Sequence, residues 1–590
     1  MFCASCLLTA CPEDDAKKVD AGPREGGFDP NAYMGGSGGN GGNGGNGGAA
    51  VNDSAGGTGG SRSCQPSSES VAVGSVDQVD LLLVVDNSST MAAEQRSLKA
   101  ALPSFIKILS TGYRTSDDAH PFPPIKDLHV GVVSTDMGVP GVEIPPECHA
   151  DGGDDGKLQN MPHGDNCDAS YPHWLNFVGD PKIAPVTDPA KFANDVGCIA
   201  SLGTSGCSFE QQLEAPFKAL MPRLLTDASG NVITNPYRFI ATVESNTWGR
   251  GDTPAAQGGN QGFLRNTLGD PSLIAIVLVT DEEDCSVKTT DHLKPSNQLP
   301  VDSPYRMEDM NLRCHNHPEN YYDVELRYFQ GFRGLRPGRE HLVVFTAIAG
   351  VPTDLVDREA LSTVDFDDVG QRDRFYSGIL KDSRMEETVD PSTMPGSGKG
   401  NLVPSCVRTV AGEDMPAKAY PPRRIVQLAR LFGANGLVQS ICQDDFSPAL
   451  GLFANVIAKR LGEQCLPKTL YRHSDGLVDC EIIWELPRLA VPGAPTPVRC
   501  DQLAFLGPVD DGRPPTNASG GANCKVNQLA VTNTGSKAAP AGDGWFYDDY
   551  TDERARSCAA EQPQRIAFSS NAKPPTGVTV KLECPRECGN

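Results

Sequence analysis

Two nearly continuous apolar runs, each closed by an aspartate, set the tightest limit on how this chain folds. Val79-Asp-Leu-Leu-Leu-Val-Val-Asp86 and Leu273-Ile-Ala-Ile-Val-Leu-Val-Thr280-Asp281 are the length of single strands. They lack the in-out alternation of a strand with one wet face, so both faces must be covered. Leu128–Thr135, Leu342–Ile348 and Gly436–Ile441 read in the same way. Helical spacing lies between them. Leu98, Leu102, Phe105, Ile106 and Leu109 share one face, with Pro103 expected to kink that helix. Phe209, Leu213, Phe217, Leu220 and Leu224 predict a helix over Phe209–Leu225, and Arg424–Phe432 and Pro448–Leu461 predict two more. Buried strands alternating with amphipathic helices imply an α/β domain with a doubly wound, mainly parallel sheet. In such sheets ligands gather at the carboxyl ends of the strands.

At 590 residues the chain exceeds what one core usually holds. The texture divides it into residues 1–11, 12–76, 77–465 and 466–590. Residues 137–187 and 286–340 are rich in Pro, Gly, Asp and Cys and read as disulfide-stapled insertions into the α/β domain. After residue 466, short β-type runs between Gly/Pro turns (Ile482–Leu486, Leu503–Leu506, Val526–Val531, Gln564–Phe568, Val578–Leu582) predict a smaller, cysteine-containing β-rich C-terminal domain. No apolar run reaches the roughly 18–20 residues of a membrane-spanning helix. The net charge of −24 argues against nucleic acid as a partner, because phosphate binding needs a basic footprint.

The chain begins Met-Phe-Cys-Ala-Ser-Cys-Leu-Leu-Thr-Ala-Cys11. Leu8-Thr9-Ala10-Cys11 resembles the lipobox of bacterial lipoproteins, which implies a signal peptide cut before Cys11 and a lipid on its thiol. Residues 12–63 repeat Gly-Gly-Asn, cannot bury apolar surface, and read as a disordered tether with a reach of roughly 40 Å. The expected location is the bacterial cell envelope, periplasm-facing or at the cell surface, with the membrane touched only through the lipid. Of nineteen cysteines, Cys3 and Cys6 would leave with the signal peptide and Cys11 would be lipidated; the remaining sixteen are an even number. Their scatter, without a repeated CxxC array, reads as a disulfide framework in an oxidising compartment. Cys148 with Cys167, Cys198 with Cys207, and Cys285 with Cys314 are the candidate pairs.

The first apolar run ends Asp86-Asn87-Ser88-Ser89-Thr90, and the second ends at Asp281. A carboxylate and two hydroxyls on a loop after a strand are hard oxygen donors that suit Mg²⁺ or Ca²⁺ better than zinc. The same hydroxyls also fit a helix N-cap. Asp86, Ser88 and Thr90 match the Asp-x-Ser-x-Ser motif, and the chain over residues 77–465 resembles the von Willebrand factor type A (vWA) domain, a Rossmann-like fold. The resemblance implies a metal-ion-dependent adhesion site, with Asp281 as a further ligand through water and a hydroxyl from an intervening loop. Thr204 and Ser208 are both candidates for that hydroxyl, and Cys207 falls nearest the family position. It further implies a cation with one open coordination position, filled by an acidic side chain of a protein partner.

Other chemistry is poorly supported. Gly35-x-Ser37-x-Gly39 fits the esterase elbow only formally, since no strand precedes it and no helix follows. Cys148, His149, His163 and Cys167 could make a zinc site, but a disulfide is the commoner use of such cysteines outside the cytosol. Asp151, Asp154 and Asp155 resemble a calcium loop, yet Pro162 stands where an EF-hand needs Glu. With neither HExxH nor P-loop, the expectation is a non-enzymatic, lipid-anchored adhesion protein. The alternatives are a structural envelope protein with a degenerate metal site and, behind it, a metal-dependent hydrolase.

Overall fold

The structure is a computed structural model. It describes residues 67–70 and 78–584 apart from 114–123, 145–147, 180–185, 227–231, 266–271, 338, 367, 394–398, 413–414, 462–465, 467–468, 487–496, 510–513, 518–519, 552–553, 555–563, 573 and 575–577. The lipobox at Cys11 and the Gly-rich repeats lie outside the described residues.

Six strands form the central sheet: β1 (Gln78–Val85), β2 (Asp127–Ser134), β3 (Leu175–Val178), β4 (Leu273–Val279), β5 (Val343–Ala349) and β6 (Gly436–Ser440). Their order is β6-β5-β4-β1-β2-β3. Every neighbouring pair is parallel except β2 with β3, which is antiparallel at the edge. The sheet is thus mainly parallel, and its apolar strands are sandwiched between helices. The alternation is clean. Leu81, Leu83 and Val85 of β1 and Ala275, Val277 and Val279 of β4 pack into one core. Leu82, Val84, Ile274, Ile276 and Leu278 pack into the other. Each such side chain contributes about 1.5–3 kcal/mol when fully buried.

The first core is covered by α1 (Ala92–Thr111), α2 (Pro189–Ala200) and α6 (Ser447–Leu461); the second by α3 (Glu214–Leu220), α4 (Val369–Lys381) and α5 (Arg423–Phe432). Helix α1 runs unbroken through Pro103, whose exposed position leaves the unbonded carbonyl one turn back to water. It stops at Gly112, which takes φ 76° and returns its N–H to Ile108 O, a left-handed cap that favours glycine. The helix expected over Phe209–Leu225 is only seven residues long. Its first five positions are spent on loop contacts, and Leu224–Thr226 is a short strand instead. Helix α2, absent from the sequence reading, is signalled by Asp188, whose carboxylate caps Ala190 and Lys191, and by Pro189 in the first turn.

A second, wholly antiparallel sheet of five strands has its own core around Trp484, Trp545, Ile482 and Val526. Two of its strands, Glu481–Glu485 and Thr579–Cys584, overlap the β runs read from the sequence; Asn523–Val526 and Leu506–Pro508 each share only one terminal residue with a run. The fifth, Ser67–Ser70, comes from the stretch assigned to the tether and pairs with Thr579–Cys584.

Six disulfides join described residues. Cys285–Cys314 pairs as expected. The other two pairings are exchanged: Cys148 bonds Cys207, and Cys167 bonds Cys198. The fold decides this. Cys148 and Cys207 share a small apolar cluster with Val139, Val142 and Phe209, whereas Cys198 sits in α2 on the first core with Cys167 against it. Disulfide bonding of both Cys148 and Cys167 removes the alternative zinc site.

Candidate functional site

Strand order reverses between β1 and β4. One connection leaves to β2, the other to β5, so a crevice opens at their carboxyl ends. The register places Val85 beside Val279, and the next residues are Asp86, Thr280 and Asp281. Asp86 N–H extends the ladder by donating to Val279 O at 3.0 Å. The Asp86 carboxylate is fully buried; it accepts from Ser88 N–H at 2.8 Å and from Thr280 Oγ1 at 2.6 Å. Ser88 Oγ lies 3.3 Å from Thr90 Oγ1, and the Thr90 hydroxyl is near enough to the Asp281 carboxyl to favour its charged form. Asp86, Ser88 and Thr90 are thus linked with Thr280, and Asp281, next along the second strand end, lies beside them. Ser88 and Asp281 are buried and Thr90 is exposed, so the network opens to solvent on the Thr90 side. No side chain caps the first turn of α1, so these hydroxyls are not spent on the helix.

The third loop is clamped onto the first. Gln95 of α1 donates through Nε2 to Asp86 O and Gly203 O, both at 2.8 Å, and its Oε1 accepts from Gly203 N–H. Gly206 N–H donates to Asn87 O at 2.8 Å. Thr204, half-buried, lies between these two anchors, while Ser208 is exposed beyond them. Cys207 is consumed by its disulfide and offers no free thiolate. The contact is close: a Cβ on Gly206 would sit 2.2 Å from Asn87 Oδ1. Gly206→Ala is expected to push Asn87 aside and lower stability by about 1–3 kcal/mol in thermal unfolding. An unchanged midpoint would mean that the two loops are not packed as described.

Two carboxylates join the site that sequence reasoning did not assign. Glu210 is buried beneath the third loop, its backbone tied to Cys285 N–H at 3.1 Å. Glu282 is half-buried next to Asp281. Burial, then repulsion from Glu282, Asp86 and Asp281, pushes the Glu210 carboxyl well up. Burial also raises Asp86, and burial with the neighbouring Asp86 and Glu282 raises Asp281 strongly. Glu282 is pushed up to about 7 by burial and by Asp86. Glu94, one turn into α1, is neutralised by Arg408 at 2.8 Å. Asp281 Oδ1 and Glu210 Oε1 are buried with no hydrogen-bond partner.

Uncompensated oxygens of this kind are what a hard cation satisfies. Among the described residues, no group of three or more His, Cys, Asp or Glu side chains is set to hold a metal ion. Asp86 and Asp281 with the neighbouring Ser88 and Thr90 hydroxyls are an all-oxygen donor set, of the chemistry that suits Mg²⁺ or Ca²⁺ rather than zinc.

No family model matches the chain, and no curated protein matches it.

Proposed function

We propose that the protein is a non-enzymatic adhesion module of the bacterial cell envelope. In this reading its vWA-like domain holds Mg²⁺ or Ca²⁺ through Asp86, Ser88, Thr90 and Asp281, with Thr204 or Ser208 supplying a further hydroxyl. An acidic side chain of a protein partner completes the coordination, and Cys11 carries the lipid that tethers the module. One observation carries the reading: adjacent, in-register strands at the switch point end in Asp86 and in Thr280-Asp281, and the Thr280 hydroxyl donates to the buried Asp86 carboxylate. The strand order and the single antiparallel edge strand are compatible with a vWA-like sheet. Six disulfides favour an oxidising compartment.

Each residue has a distinct task. Asp86 and Asp281 supply charge, and the hydroxyls supply neutral oxygens, so the cation is bound without losing all its attraction for an outside carboxylate. Thr280 and Gln95 hold the Asp86 loop in place from behind.

The cleanest test is Asp281→Asn, because Asp281 Oδ1 makes no hydrogen bond whose loss would confuse the result. Calorimetric titration of the full chain with Mg²⁺ should show stoichiometric binding weakened ten- to a hundredfold by the substitution. Equal affinity in both proteins would remove the adhesion reading. A parent protein that binds no divalent cation would favour a structural envelope protein, for which the crowding of Glu210 and Glu282 around the site speaks.

A further inference from the structure

The insertion after β4 closes around a histidine without polar company. His292 is 1 % exposed, and neither of its ring nitrogens meets a hydrogen-bond partner among the described residues. The groups that face it come from along the same segment. On its own turn, Asp291 pairs with Lys294 at 2.7 Å. From Pro304–Met307 comes the Tyr305 ring, its centroid 5.9 Å from that of His292. From the Met310–Asn316 helix comes buried Arg313, which donates through Nη1 to His292 O at 2.8 Å and to Lys294 O at 2.6 Å. Past that helix stands His317, 6.4 Å away ring to ring, with its nitrogens 2.9 Å from Glu308 and 3.0 Å from Glu319.

A proton added to this ring finds no acceptor. The carboxylates that favour its charge, Asp291 and Glu319, face Lys294 and His317 instead, while Arg313 and His317 oppose it. A buried charge without compensation is costly. Burial first, then His317 and Arg313, hold the His292 ring down at about 4 from an ordinary 6.5. The closed segment therefore takes up this proton less readily than the opened one. Its closure has full support above about pH 6.5 and loses it as pH falls toward 4. The base of the segment is held separately. Cys285 bonds Cys314, Lys288 N–H donates to Asn320 O at 2.7 Å, and Tyr322 N–H donates to Ser286 O at 3.1 Å. Opening can thus stay local.

We propose that residues 290–317 form an acid-released clasp, in which a proton on His292 drives its ring out and opens the segment while the central sheet stays folded. The proposal does not depend on the adhesion reading. Leu293, the next residue, packs in one apolar cluster with Cys207 and Cys285, so the clasp adjoins the loops that follow β4 and precede α3. A histidine that only filled space would hold the segment as well in acid as at neutrality, and a phenylalanine would do the same.

The test is hydrogen exchange of the full chain in chelator, read as protection factors so that the intrinsic effect of pH on exchange is removed. Between about pH 6.5 and 4.5, amides of residues 290–317 should lose protection about fiftyfold in the parent, while those of β4 keep theirs. In His292→Phe the loss should shrink to less than about threefold, with protection at neutral pH equal to or above the parent's, because an unpaired buried N–H is gone. His292→Leu, whose side chain is smaller, gives the same reading should the larger ring not fit. An equal loss in the parent and both variants, no loss in the parent, or loss in β4 in step with the segment overturns the proposal.

Discussion

Replacing Asp155 by Asn is expected to cost about 3–5 kcal/mol in denaturant unfolding, the largest single effect foreseen outside the apolar cores. Asp155 lies in a dry pocket between two buried cations. Lys218 Nζ stands 2.5 Å from its carboxylate, and Arg250 forms a second ion pair with it. Lys218 is fully buried, and burial holds its ammonium below the usual lysine range despite the pull of Asp155. Without the anion both cations are stranded. Asparagine is the apt substitution because Asp155 has φ 54°, a left-handed conformation that Asn tolerates better than Ala. Adding Lys218→Met should recover part of the loss, since one stranded charge goes with it; strict additivity of the two changes would contradict the account. Asp155 N–H also donates to Asp136 O at 3.1 Å, so the two cations help pin the loop that carries Asp136.

The second large effect is a pH dependence with an unusual sign. Burial pushes the Asp136 carboxyl up to about 6 from an ordinary 3.8. Across that interval the folded protein holds this proton more tightly than the unfolded chain does. The contribution is therefore fully present below about pH 4 and is lost as pH rises through 6. At about 1.4 kcal/mol for each tenfold change in proton affinity, the loss is about 3 kcal/mol. Urea midpoints in chelator between pH 4 and 7 should fall more steeply in the parent than in Asp136→Asn. The slope is what is read, because Asn also alters the bond to Gly138. Parallel slopes would mean that Asp136 ionises in the fold as freely as in the unfolded chain.

Much of the architecture is legible in the residues because strands buried on both faces cannot hide. The runs that became β1, β2, β4, β5 and β6 are each within a residue or two of their observed limits. The four-residue β3 escaped because Leu-Asn-Phe-Val is too short to show a period, and it pairs only at an edge. The overlong helix after Phe209 arose because apolar spacing persists through residues that the fold uses as loop and strand. Asp86, Ser88, Thr90 and Asp281 were readable because each directly follows a strand that announces itself. Glu210 was not. Its signal, a carboxylate inside Phe-Glu-Gln-Gln-Leu ahead of a buried helix, acquires meaning only when the loop folds beneath Asp86 and Asp281. Of the disulfide partners only Cys285 with Cys314 was legible; the other four cysteines exchanged partners, because spacing along the chain says nothing of which core a cysteine faces.

The pairing of Ser67–Ser70 with Thr579–Cys584 has a mechanical corollary. Tension arriving from the N-terminal side meets this short antiparallel zipper before it reaches β1, the strand that delivers Asp86. The partner strand is itself stapled by Cys480–Cys584. A pull would be taken up first by four residue pairs in the second sheet, leaving the crevice between β1 and β4 undistorted until that clasp gives way.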